Sequence, residues 1–270
     1  MSPIQQMLLG VGAVATKTYV DDVFSTYLWV GTEASKTITN GIDLSASGGG
    51  LVWVKNRSAG WNHTLIDTVR GKTKSLYADG YFPEATDSTA LTSFNNNGFT
   101  VGASDYTNNN GDDQASFTFK KGVGFFTICQ WEGDDSGSRQ ISHDLGCQPG
   151  LIILKNRSRN GTNWMVWHRD FSATEFLELN ATSQKSSDST LFGGSGSAKP
   201  TSTNFTIGGG ESANKDGDDF IAYLWAGGES SAATARSVDF DGSNDKVSIP
   251  DSTDFEFGSG DFTIEAWVKQ

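Results

Sequence analysis

Two acidic turns contain the residue types that could hold a metal ion. Asn110-Gly111-Asp112-Asp113 and Asp216-Gly217-Asp218-Asp219 each group carboxylates beside a glycine, as calcium loops do. Neither has the further acidic positions and the distant glutamate of an EF-hand loop. Asp and Asn next to Gly are also the usual turn formers, because their side chains accept local hydrogen bonds and tolerate positive φ. The spacing therefore favours turns, and we expect no metal site.

A basic motif follows an apolar run twice, as Lys55-Asn56-Arg57 and Lys155-Asn156-Arg157. One interpretation is a pair of cations for an anionic ligand. The other is structural, with Lys and Arg bonding to loop carbonyls or to an Asp at the end of a strand. No basic patch surrounds either copy, which favours the structural interpretation.

The tryptophans are the residues that could stack on sugars. Trp53, Trp131, Trp164 and Trp167 lie in apolar segments, where an indole is usually part of the core and its N–H is hydrogen-bonded. Trp61 follows Gly60 in a predicted loop, so it is the best candidate for a glycan contact.

Catalytic residues are not evident. His168 and Asp170 could act as an acid–base pair, but the first copy of the repeat described below has Asp67 and Val69 at the related positions. No Ser or Cys lies in a recognisable nucleophile motif, and no carboxylate pair has glycosidase character. We expect a protein that is not an enzyme and that needs no cofactor.

Composition restricts the fold that must position these residues. The chain has 270 residues and a net charge of −12, with 36% hydrophobic residues, 11% aromatic residues and 32 glycines. Aromatics can build cores while Gly, Ser, Thr and Asn build turns, so the composition predicts a compact all-β protein. The negative charge disfavours a nucleic-acid partner. No apolar run reaches the ~18 residues of a membrane span, so we expect no membrane insertion.

An internal repeat is the strongest signal in the sequence. Leu51-Val52-Trp53-Val54-Lys55-Asn56-Arg57-Ser58 returns as Leu151-Ile152-Ile153-Leu154-Lys155-Asn156-Arg157-Ser158. Matches on both sides extend the repeat to residues 24–121 and 125–228. Short strand signals separated by turn residues predict two tandem homologous antiparallel β-sandwich domains of jelly-roll-like form, each with its own core. Cys129 and Cys147 are expected to be small core residues, with a disulfide as the alternative.

The N-terminal residues 1–23 form a separate segment. Met7, Leu8, Leu9 and Val11 are apolar and lie in a short run interrupted by glycines. A secretory signal peptide is one interpretation, but no Lys or Arg precedes the run. The alternative, which we favour, is an anchoring arm whose apolar residues bind another protein.

The C-terminal segment resembles a known fold. A linker at 229–236 is followed by Val238-Asp239-Phe240-Asp241-Gly242 and by Phe262-Thr263-Ile264-Glu265-Ala266-Trp267. These motifs resemble the opening strands of laminin-G-like, concanavalin A-like jelly rolls. The resemblance implies that residues 237–270 are the start of an incomplete lectin-like domain, with receptor binding beyond Gln270.

The duplicated unit also resembles a family. The opening Met1-Ser2-Pro3-Ile4-Gln5-Gln6-Met7 and the repeated motif resemble tail-fibre and other virion proteins of tailed phages of marine bacteria and cyanobacteria. The resemblance implies a virion structural protein, anchored to other tail proteins at its N-terminus, with a homotrimeric state and a C-terminal module facing host surface glycans. The alternative is a secreted bacterial carbohydrate-binding or adhesion protein.

Overall fold

Short segments rich in β-branched and aromatic residues, bounded by Gly, Asn and Asp, form strands throughout the described chain. The computed structural model describes residues 20–45 and 49–227, and their antiparallel sheets confirm the predicted all-β sandwich class. Two four-residue helices, α1 (Val20–Val23) and α2 (Asp105–Asn108), complete the regular structure of these residues. The strands are β1 Phe24–Val30, β2 Lys36–Thr39, β3 Gly50–Asn56, β4 Thr64–Asp67, β5 Lys74–Tyr77, β6 Ala85–Thr86, β7 Leu91–Asn95, β8 Gly98–Val101, β9 Asp113–Lys120, β10 Phe126–Glu132, β11 Arg139–Ser142, β12 Pro149–Asn156, β13 Met165–His168, β14 Glu175–Glu178, β15 Ser186–Ser187, β16 Asn204–Ile207 and β17 Asp219–Ala226.

The strand order is the same in the first half, β1 to β9, and in the second half, β10 to β17. Each half has a six-stranded sheet, in the order β1-β9-β3-β4-β5-β6 and β10-β17-β12-β13-β14-β15. Each also has a small sheet, β2-β8-β7 in the first half and β11-β16 in the second. Lys55 pairs with Ala115 on β9 and Lys155 with Ile221 on β17, so the two lysines occupy equivalent strand positions.

Alternation along the strands sends side chains to opposite faces of each large sheet. In β3, Val52 and Val54 pack towards the small sheet, in a core with Ile38 and Phe99. Leu51, on the other face of β3, points into a different core. The second half repeats this arrangement, with its own core beneath β11 and β16.

A third core joins the two halves. It combines Leu51, Leu65 and Leu76 from the first half with Ile153 and Tyr223 from the second, and other residues of both large sheets. The described chain is therefore four layers deep, with a small sheet on each outside and the two large sheets face to face. The sequence predicts one core for each half, and the structure adds this shared one, so the halves lie in one compact unit.

The four layers explain an apolar run that does not alternate. In β12, Ile152 and Leu154 pack in the outer core of the second half, whereas Ile153 packs in the shared core. Both faces of β12 are therefore buried, as the continuous apolar run from Leu151 to Leu154 predicts.

Local turn chemistry shortens one of the strands that the sequence predicts. The β-branched and apolar residues of 37–44 predict one strand over that range. The structure ends β2 at Thr39, because Asn40 Oδ1 accepts from the Ile42 N–H and Gly41 adopts φ +86°. Strand β7, which pairs with β8, is not among the strands that the sequence predicts. Cys129 and Cys147 are both free thiols, and the second packs against the core that contains the first. The anchor candidates Met7, Leu8, Leu9 and Val11, and the lectin-like segment 237–270, lie outside the described residues.

Candidate functional site

The repeated Lys-Asn-Arg-Ser motif connects the end of β3, or of β12 in the second half, to the neighbouring acidic turn through hydrogen bonds. Asn56 Nδ2 donates to Asp112 Oδ2 at 2.8 Å, while its Oδ1 accepts from the Ser58 and Ala59 N–H groups. Asn156 makes the same set of bonds in the second half, with Asp218 as the acceptor at 2.9 Å.

The lysines of the motif bond to loop carbonyls. Lys55 Nζ donates to the Trp61 carbonyl at 2.6 Å, and the buried Lys155 Nζ donates to the Thr162 carbonyl and hydroxyl. Burial lowers the pKa of Lys155 to about 8. These contacts match the structural interpretation of the motif.

The acidic turns have internal partners. Hydrogen bonds from Asn109 and Asn56 lower the pKa of Asp112. Gly111 and Gly217 adopt φ +79° and +73°, where a side chain would be strained. Within residues 20–45 and 49–227, no cluster of three His, Cys, Asp or Glu side chains is arranged to hold a metal ion.

A buried charged network crosses the interface between the halves. Arg70 Nε contacts Asp67 Oδ2 at 2.5 Å, and Arg70 Nη1 contacts Glu84 Oε2 at 3.3 Å. Tyr223 of the second half donates its hydroxyl to Asp67 Oδ2 at 2.8 Å and accepts from Arg70 Nη2 at 3.1 Å. Glu84 also accepts from Arg157 Nε at 2.9 Å. Burial opposes the charge on Arg70, but Tyr223, Asp67 and Glu84 together raise its pKa above the ordinary value.

Most of the other chemical candidates have structural roles. His168 Nδ1 lies 3.5 Å from Asp170 Oδ2, but both side chains are exposed and the Asp170 N–H also points at Nδ1. Trp131, Trp164 and Trp167 are buried, and each indole N–H donates to a backbone carbonyl.

Trp61 belongs to a row of aromatic rings on the first half. It is half-buried against Tyr106, and the ring centroids are 5.1 Å apart. The row continues through Tyr77 to Phe82 and Tyr81, which are 43% and 52% exposed. The register of the strands gives the equivalent positions in the second half, which are Thr162, Glu178, Thr182, Ser183 and Ser212. The row is therefore specific to the first half.

A cavity of about 390 Å³ opens between the halves at the rim of the shared core. One wall comes from the first half, with Trp53, His63 and Asp79. The other wall comes from the second half, with Leu179, Asn180 and Thr182, while Ala78 and Ala181 complete the lining. Trp53 Nε1 donates to His63 Nδ1 at 3.3 Å, and Asp79 Oδ1 accepts from the His63 backbone N–H at 3.0 Å.

The hydrogen bond from Trp53 determines which tautomer of the His63 imidazole is present. Because Nδ1 accepts, the hydrogen of neutral His63 is on Nε2, which is then a donor. Burial lowers the pKa of His63 below its ordinary value, against the opposing effect of Asp79. The residues that line the cavity therefore include a neutral imidazole, whose Nε2–H is a donor, and a carboxylate, which is an acceptor.

The two halves differ at one equivalent position, and this difference accounts for the cavity. Leu65 on β4 corresponds to Val166 on β13, and the position two residues earlier is His63 in the first half and Trp164 in the second. Trp164 is fully buried, and its indole reaches across the interface to donate to the Tyr77 carbonyl at 2.8 Å. His63 faces the corresponding part of the second half, next to Leu179, and leaves open the space that an indole fills on the other side.

Trp61 can be picked out from the sequence, whereas His63 cannot. Trp53 was assigned to the core, and its ring does contact the shared core while also lining the cavity. The available signal was the position at which one copy of the repeat has His and the other has Trp. That signal acquires its meaning only once the two sheets are known to pack face to face.

The comparisons with known proteins give a family. Residues 20–235 match the family model described as "Domain of unknown function (DUF7483)", so the chain belongs to this family. None of the curated proteins and none of the solved structures matches the chain. Among the residues that the structure describes, no helix is long and apolar enough to cross a membrane.

Proposed function

We propose that this chain is a structural protein of a tailed-phage virion, a tail fibre or a tail-attached appendage. The observation that carries the proposal is the joint between the halves, which combines a shared apolar core with the network of Asp67, Arg70, Glu84, Arg157 and Tyr223. Tandem domains on a flexible linker would bend, whereas two sheets packed face to face move as one body. An appendage that holds a recognition module away from a particle needs this stiffness.

The sequence resemblances support the same proposal and give it an orientation. Residues 1–228 resemble virion proteins, and 237–270 resembles the start of a lectin-like domain. In this proposal Met7, Leu8, Leu9 and Val11 anchor the chain to other tail proteins, and the C-terminal region faces a host surface glycan.

An exposed apolar edge supports the proposed homotrimer. Leu28 and Val30 of the edge strand β1 are 64% and 54% exposed, and Phe117 of the neighbouring strand is 41% exposed. The equivalents of Leu28 and Val30 in the second half are Gln130 and Glu132. Apolar side chains on an edge strand, which has a neighbour on one side of the sheet, favour contact with another chain.

Two experiments test the proposal. Peptide mass spectrometry of gradient-purified phage particles from the strain that carries the gene should detect the chain, and its absence from intact particles would overturn the virion assignment. Light scattering of the purified protein should give three times the chain mass of 28.9 kDa. The double variant Leu28→Gln, Val30→Glu, which copies the second half, should give a folded monomer. A parent protein that is already monomeric contradicts the trimer.

A secreted carbohydrate-binding or adhesion protein is the second candidate. The observation that favours it is the aromatic row from Trp61 to Tyr81, because a contiguous patch of apolar rings at a protein surface is typical of a binding site. Peptides of the chain in the medium of phage-free cultures, and not in particles, would favour this candidate.

A further inference from the structure

We propose that the cavity between the halves binds one neutral sugar ring of a glycan. This inference does not depend on the virion assignment, because it concerns what Trp53, His63 and Asp79 and the facing wall of Leu179 and Thr182 can recognise.

The shape of the site argues for a ring. The two halves meet through equivalent surfaces, since Leu51 and Leu151, Leu65 and Val166 all pack in the shared core. On one side of this interface the indole of Trp164 fills the gap, and on the other side His63 leaves it open. A flat group of about the size of an indole therefore fits between the halves, and a volume of about 390 Å³ is within the usual range for small-ligand sites.

The polar groups at the cavity match hydroxyl groups. Among the lining residues, neutral His63 has a donor in its Nε2–H, the Asp79 carboxylate is an acceptor, and the Thr182 hydroxyl can both donate and accept. A sugar carries hydroxyls that donate and accept from adjacent carbons, so it can pair with a donor and an acceptor on one wall. The described residues that line the cavity include no Lys or Arg, and Asp79 repels anions, which favours a neutral sugar over a phosphorylated or acidic one.

The apolar part of the site is held in place before a ligand arrives. The indole N–H of Trp53 is occupied by His63, so the ring presents carbon to the cavity, together with Ala78 and Leu179. The C–H face of a pyranose is apolar and packs on such a surface. Because the hydrogen bond fixes the indole, binding costs little side-chain entropy.

Ligand-observed saturation-transfer NMR on the full 270-residue protein tests the proposal. The probes are methyl glycosides of neutral hexoses, pentoses and N-acetylhexosamines, with a methyl glucuronide as the anionic comparison. At least one neutral glycoside should receive saturation, and the glucuronide should not. His63→Trp, which copies the second half and fills the cavity, should reduce affinity at least tenfold. Asp79→Asn, on an exposed side chain, should weaken binding without affecting the core.

The matched control is Trp61→Ala, which alters the aromatic row but not the cavity lining. Its affinity for the glycoside should equal that of the parent protein. If no glycoside binds, the proposal is wrong. It is also wrong if His63→Trp and Asp79→Asn both bind as the parent does, or if only Trp61→Ala loses binding, since the sugar site is then elsewhere.

Discussion

Tyr223 donates its hydroxyl to the Asp67 carboxylate at 2.8 Å across the joint between the halves, although 156 residues separate them in the chain. Both side chains are buried, and Arg70 contacts both of them. A pair of buried charges that is completed by a residue of the other half couples the folding of the two halves. The expected consequence is a joint whose stability depends on the complete network.

Removing the arginine should destabilise the protein strongly. Arg70→Met would leave the Asp67 carboxylate buried without its cation, and it would also remove the contact between Arg70 and the Glu84 carboxylate. Breaking a buried pair by removing one partner costs about 3–5 kcal/mol. Urea unfolding followed by tryptophan fluorescence should show a loss of this size in the free energy of unfolding.

Lys185→Met provides the control for this variant. Lys185 Nζ contacts Glu175 Oε1 at 2.7 Å on the exposed surface, so water replaces the lost partner and the stability should change little. Equal losses in the two variants would contradict the role assigned to the network.

The all-β class and the strand positions follow from local physics that a sequence displays. The repeated apolar run ends at Lys55 and Lys155, turn residues follow it, and these features predict β3 and β12 closely. The joint could not be predicted in this way, because Arg70 and Arg157 meet at Glu84 from distant parts of the chain. Nothing in the local pattern of Leu51 distinguishes a face that packs on its own half from a face that packs on the other.

The candidate site shows the same limit. The position of Trp61 beside Gly60 in a predicted loop makes it the best exposed candidate for a glycan contact, and it lies at the start of the aromatic row. His63 gave no signal as a single residue. Its significance comes from Trp164 at the equivalent position and from a facing wall that begins at Leu179.

The two strand-end asparagines should contribute equally to the free energy of unfolding. Asn56→Ala and Asn156→Ala would each remove a donor to a turn carboxylate and an acceptor for two backbone N–H groups. Losing buried hydrogen-bond partners costs about 1–3 kcal/mol, and chemical denaturation should show losses in this range for both variants. A neutral effect at one of the two positions would show that the motif does not have the same structural role in both halves.

Removing the indole of Trp164, which fills the interface at the position equivalent to His63, should lower the stability of the protein. Trp164→His places the residue of the first half at the equivalent position in the second half, where it loses packing in the shared core and the bond to the Tyr77 carbonyl. Large-to-small changes in a core cost about 2–5 kcal/mol, and the thermal midpoint should fall accordingly. The opposite exchange, His63→Trp, fills a cavity and should not lower the midpoint, so a large loss in that variant would contradict the equivalence of the two positions.

Lys155 should make the stability depend on pH above neutrality. Burial lowers its pKa from 10.5 to about 8, so between these values the unfolded chain holds a proton that the folded chain has released. The free energy of unfolding therefore rises with pH across this window, by about 1–3 kcal/mol for a shift of this kind. Lys155→Met removes the titrating group while keeping an unbranched side chain of similar length. The difference in unfolding free energy between parent and variant, measured by urea titration from pH 7.5 to pH 10.5, should change in favour of the parent as the pH rises. A difference that stays constant over this range would show that the lysine does not titrate there.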